Sequence, residues 1–63
     1  MDCNKKIAEY LKEHGITQKF LVDNTGLTSQ KVSNIVNGTR KITGDELVLI
    51  AKTLGITLEF FLD

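Results

Sequence analysis

Proline is absent from this chain, and so is any low-complexity run. Nothing in it reads as a linker, and 63 residues make one domain, 1–63. Cysteine occurs once, as Cys3. A lone thiol makes no internal disulfide and offers no zinc pair, so Cys3 is read as an incidental reduced thiol. The one histidine, His14, has no metal partner at helical spacing and is expected near a helix C-terminus, where positive charge is favoured. No apolar run approaches the roughly 18 residues that cross a bilayer. The first residues, MDCNKKIAEYL, lack the apolar block of a signal peptide, so the expected location is cytoplasmic. Net charge is also missing: eight Lys and Arg balance eight Asp and Glu, which argues against a general polyanion binder. An enzyme is not expected. No nucleophile stands with a base, no carboxylate pair suggests a cleft, and no glycine loop is built to cradle phosphate. Asp45 and Glu46 are adjacent, but in a first helical turn, where acids serve the dipole. No metal, cofactor or small-molecule ligand is implied.

What is present is the composition of a soluble globular domain, 41% apolar and 25% charged. A domain this small hides only about 60% of its unfolded surface, so its core must be compact. The charge is unevenly spread. Residues 1–14 balance to zero. Residues 15–44 carry Lys19, Lys31, Arg40 and Lys41 against Asp23, a balance of +3. Residues 45–63 carry Lys52 against Asp45, Glu46, Glu59 and Asp63, a balance of −3. Basic charge therefore gathers around the stretch TSQKVSNIVNG, 28–38, which is itself rich in uncharged hydrogen-bonding side chains.

Four glycines, Gly15, Gly26, Gly38 and Gly55, fall just after apolar-periodic segments, where a left-handed residue ends a helix. Each is followed closely by a threonine, Thr17, Thr28, Thr43 or Thr57, whose hydroxyl suits the start of the next helix. The pattern predicts an all-α fold of five helices. The first covers about 5–13, capped by Asn4, with Ile7, Ala8 and Leu11 inward. The second covers about 18–24, with Leu21 and Val22 inward, and the third 29–36, with Val32, Ile35 and Val36 inward. The fourth starts at Thr43, where Glu46 three residues on completes a capping box, and turns Leu47, Ile50, Ala51 and Leu54 inward. The fifth is short, 58–62, with Leu58, Leu62 and one of Phe60 and Phe61 inward. ITLEFF, 56–61, also has strand-like composition, but it closes an otherwise helical chain.

The second and third helices are both short and are separated by Thr25-Gly26-Leu27, the spacing of a helix-turn-helix. In that unit the second helix enters the major groove, and its N-terminal residues meet base edges. Here that end is Thr28, Ser29, Gln30 and Lys31, with Asn34 one turn along the same side. Gln and Asn amides pair bidentately with adenine, and Ser and Thr bond to any base. A solvated surface helix has no need of such a set.

Residues 7–62 resemble the lambda-repressor-like, Cro/C-repressor helix-turn-helix domains. The resemblance is carried by Leu11 and Gly15 before ITQ (16–18), by Leu21 and Gly26, by TSQKVSNIVNG, and by LVLIAKTLGITLEFFL (47–62). It implies a compact five-helix DNA-binding domain. It places Ser29, Gln30 and Asn34 against base edges, with Thr28 at the margin as cap or reader. It assigns Gln18 to a phosphate at the start of the second helix. Asn37, Thr39, Arg40 and Lys41 would contact phosphate after the third, and Lys31 is placed to reach either. Two positions depart from the family pattern. Val22 stands where Ala is usual, at the close crossing of the second and third helices. Gly44 stands where an apolar residue is common.

A neutral monomer that neutralises few phosphates binds weakly, which points to a homodimer on two half-sites. Leu49 and Phe60 are apolar side chains without an assigned place in the core, and they form the candidate dimer patch. Phe20, on the side of the second helix away from the third, is expected to pack on Tyr10. The expected function is sequence-specific binding of a double-stranded DNA operator by a transcriptional repressor or regulator. The alternative is a protein-interaction module of the same fold, antitoxin-like or coactivator-like.

Overall fold

Four side-chain oxygens start four helices. Asp2 accepts from the Lys5 amide at 3.1 Å and opens α1, Cys3–His14. Thr17 accepts from Phe20 at 3.1 Å and opens α2, Gln18–Thr25. Thr28 accepts from Lys31 at 3.1 Å and opens α3, Ser29–Asn37. Thr43 accepts from Glu46 at 3.2 Å and opens α4, Gly44–Leu54, where the Glu46 carboxylate returns the bond to complete the expected capping box. Each oxygen satisfies an amide that no earlier turn can reach. The structure, a computed structural model, describes residues 2–62.

Two expectations at the ends of the chain are corrected. Asn4 does not cap α1. Asp2 does, and the Asn4 side chain turns inward to backbone groups of other segments. The fifth helix is a 3₁₀ turn, Leu58–Phe61, so the fold has four α-helices and this turn among the described residues. Thr57 makes no side-chain cap bond there, and four residues with i→i+3 bonding cannot build an α-helical ladder. Only Phe61 of this segment enters the core. Leu58 and Leu62, expected inside, are 49% and 68% exposed; a single 3₁₀ turn directs only Phe61 inward, and the chain leaves it in extended conformation at Leu62.

The core consists of Ile7 and Leu11 from α1, Leu21 from α2, Val32 and Ile35 from α3, Ile50 and Ala51 from α4, and Phe61. Val22, Val36, Leu47 and Leu54 lie half-buried against it, and Ala8 is half-buried. Helix α3 packs on both α1 and α2, and α2 also meets α4. The third helix is thus gripped on its inner side and left open on the other.

Gly44 is the first residue of α4, and an added Cβ would meet nothing within 4 Å. Its backbone lies outside the left-handed region. Its cost is therefore conformational, with no hole left at the Cβ position. Gly44→Ala is expected to stabilise the domain by about 0.4–1 kcal/mol through the unfolded state. Thermal unfolding should show the midpoint rising by roughly 2–8 °C; no rise would mean that the start of α4 frays in the native state.

Candidate nucleic-acid interface

Helices α2 and α3 are joined through Gly26, Leu27 and Thr28. Gly26 adopts φ 80°, a left-handed conformation open to glycine without a Cβ clash, and its amide returns to the Val22 carbonyl at 3.3 Å. Leu27 is half-buried against the core, so the turn is anchored from inside. Val22, the larger residue at the crossing, is accommodated half-buried at the core margin.

This packing divides α3 into two faces. Val32 and Ile35 are each 1% exposed, while Ser29, Gln30 and Lys31 are exposed. Ser29 lines a surface depression with Gln18, Lys19, Val22 and Asp23, so the first residues of α2 and α3 lie side by side. Gln18 is exposed as the first residue of α2. Thr28 is exposed, but its hydroxyl oxygen takes the Lys31 amide, so it serves as the cap. Asn34 is half-buried and sits at the centre of a side-chain chain. The Gln30 amide donates to Asn34 Oδ1 at 3.0 Å, and the Thr39 hydroxyl reaches the same atom at 3.3 Å. The exposed end of α3 is therefore tied to the loop that follows it. Asn37, also exposed, donates to Ser33 Oγ at 3.2 Å.

The loop from Gly38 to Thr43 returns to α3. The amides of Thr39 and Arg40 both reach the Asn34 carbonyl, at 3.0 and 3.3 Å. Arg40 Nη1 donates to Glu46 Oε1 at 2.7 Å, and the Thr43 amide donates to the same oxygen at 3.0 Å. The basic middle and acidic end of the sequence thus meet in space. Lys19 is paired with Asp23 at 3.0 Å, both largely exposed, which contributes little. Lys31 and Lys41 are the exposed cations of this region that carry no ion pair among the described residues.

The hydrogen bond from Arg40, with that from the Thr43 amide, pulls the Glu46 carboxyl down to about 2. The same hydrogen bond raises the Arg40 guanidinium. A carboxyl more acidic in the folded chain than in the unfolded one contributes stability in full above its ordinary value near 4.5, and that stability is lost as pH falls toward about 2. Wild type is therefore expected to lose more stability between pH 6 and pH 2.5 than Glu46→Gln. Urea midpoints at the two pH values check this; equal losses would mean that the Arg40–Glu46 pair does not form in solution.

Two residues important to this geometry were not among the expected site residues. Glu46 was legible only as a capping residue. Asn4 has the side chain of a cap, yet it lies three residues before Ile7 and seven before Leu11, on the buried face of α1. A polar residue on that face was the signal.

At the candidate dimer patch, Leu49 is half-buried and Phe60 is 39% exposed. Phe60 meets Tyr10 edge-on at 5.5 Å, and the Lys6 ammonium donates to the Phe60 carbonyl at 3.1 Å and lies over its ring. Tyr10 also stacks on His14, which sits in the last turn of α1 as expected. Phe20 makes no ring contact with Tyr10 and is 42% exposed; Phe60 takes the edge-on position instead. No helix among the described residues is long and apolar enough to cross a membrane.

Among known proteins, no curated protein and no solved structure matches the chain. The model of the helix-turn-helix family matches residues 7–61, which takes in all the packed core and the α2–turn–α3 unit. With that match and this geometry, the chain belongs to the helix-turn-helix family of DNA-binding domains, of the lambda-repressor and Cro type.

Proposed function

We propose that this protein is a sequence-specific regulator of transcription, of repressor type, that inserts α3 into the major groove of a double-stranded operator. The observation that carries this reading is the exposed polar end of α3. Ser29 and Gln30 stand clear of the core, Asn34 lies one turn below, and Gln18 stands alongside at the start of α2. Ser29, Gln30 and Asn34 read base edges, with Thr28 at the margin serving chiefly as the cap. Gln18, Lys31, Asn37, Thr39, Arg40 and Lys41 hold phosphates and set the register. Arg40 does so from a guanidinium already oriented by Glu46. Selection from random duplexes at low salt tests the reading: an enriched motif is expected, and none at all would sink it.

The protein acts as a homodimer on two half-sites through a surface that includes Leu49 and Phe60. The exposed apolar area at the C-terminal turn supports this, since Phe60, Leu58 and Leu62 all reach solvent. Mass in solution, free and on a palindromic duplex, tests it. Wild type is expected to dimerise and Phe60→Lys to remain monomeric; a wild type monomeric in both conditions removes the dimer and leaves the DNA reading standing.

A further inference from the structure

The Asn4 side chain is 7% exposed and makes three hydrogen bonds, all to backbone groups more than thirty residues away. Its Nδ2 donates to the Ile35 carbonyl at 2.9 Å and to the Arg40 carbonyl at 2.7 Å. Its Oδ1 accepts from the Ile42 amide at 3.3 Å. The first bond adds a second donor to a carbonyl in the last turn of α3, which also accepts from the Gly38 amide at 3.2 Å. The other two have a common target. The Arg40 carbonyl belongs to the peptide before Lys41, and the Ile42 amide belongs to the peptide after it. One buried amide therefore fixes both peptide planes that flank Lys41. Lys41 in turn is exposed and carries no ion pair among the described residues.

We infer that Asn4 is a positioning residue for the DNA interface: it aims Lys41 at a phosphate by clamping the two peptides on either side of it. The inference rests on the DNA-binding reading above and deepens it. An unclamped loop would leave Lys41 sampling many directions, and each contact it made would cost ordering entropy. A clamped one presents the ammonium already placed. The bond to Ile35 fixes the loop to the end of α3, so the phosphate contact and the base-reading helix move as one body.

A double-mutant cycle tests the link between Asn4 and Lys41. In the wild-type background, Lys41→Ala is expected to weaken duplex binding several-fold. It should also lower the magnitude of the slope of log K against log salt by about 0.9, one phosphate's worth. In the Asn4→Ala background the same Lys41→Ala change is expected to have almost no effect, because the contact is already lost. Ile7→Val, a core change that loosens the same helix without touching the loop, serves as the control and should leave the Lys41→Ala effect intact. Should Asn4→Ala fail to fold, Asn4→Ser, which is too short to reach both carbonyls, takes its place in the cycle. An equal Lys41→Ala effect in both backgrounds overturns the inference. Hydrogen exchange on the free protein gives a reading that needs no DNA. The Ile42 amide is expected to lose protection in the Asn4 variant far more than amides of α4. Unchanged protection at Ile42 overturns the clamp, whereas failure of the wild type to bind any duplex overturns the proposed function.

Discussion

Gln30→Ala is expected to lower discrimination between the selected operator and a single-base variant by roughly 1–3 kcal/mol, about a 5- to 150-fold relaxation at one position of the site. The loss is one of choice more than of folding. Gln30 is exposed, it contributes no core contact, and surface changes of this kind usually stay within about 0.5 kcal/mol in stability. The side chain also donates to Asn34, so its removal frees one side of the Asn34 amide. Asn34→Ala should therefore overlap with it, and the double variant should lose less than the sum of the two. Competition binding against the operator and its single-base variants measures all of these. Discrimination unchanged in Gln30→Ala would mean that another part of the surface reads the bases. Lys31→Ala makes the contrast: weaker binding to every duplex alike, with the order of preference kept.

Leu21→Ala is expected to remove about half of the domain's stability. Leu21 is fully buried, and α2 meets both α3 and α4. Truncating a buried leucine costs about 2–5 kcal/mol, through lost burial and the cavity left behind. At about 0.05–0.15 kcal/mol per residue, a domain of this length holds only about 3–9 kcal/mol in total. The single change thus removes a large share of what there is. Circular dichroism during urea unfolding should show the midpoint falling to about half its wild-type value. A midpoint shifted only slightly would mean that α2 repacks over the gap and that the helix-turn-helix is less rigid than its contacts imply.

The parts of this fold that could be read from the chain are those governed by neighbours in sequence. Helix ends were legible because Gly15, Gly26, Gly38 and Gly55 and the caps Thr17, Thr28 and Thr43 act within one turn of themselves. The inner faces of α2, α3 and α4 followed from helical spacing for the same reason. What stayed hidden depends on contacts across the fold. Nothing near Asn4 announces that its partners are Ile35, Arg40 and Ile42, and nothing near Arg40 separates a phosphate contact from an internal ion pair. The last segment misled for a different reason. The composition of ITLEFF, 56–61, suits an α-helix or a strand, and only burial of Phe61 decides how tightly the chain turns there. At the interface, the residue types of α3 were legible, whereas the linkage of Gln30, Asn34 and Thr39 was not, because Thr39 joins it only through the turn at Gly38.

A single oxygen atom, Oε1 of Glu46, takes donors from both the Arg40 side chain and the Thr43 backbone. The side chains at positions 40 and 46 are therefore coupled, with the helix start at Thr43 depending on the second of them. A descendant that replaces Glu46 alone leaves a guanidinium and a helix start without their shared acceptor, and one that replaces Arg40 alone leaves a carboxylate largely enclosed. Ser29 and Gln30 sit outside this arrangement, so changes there leave it intact. Lineages built on this chain should vary freely at the exposed end of α3 and only in coordinated steps at Arg40 and Glu46.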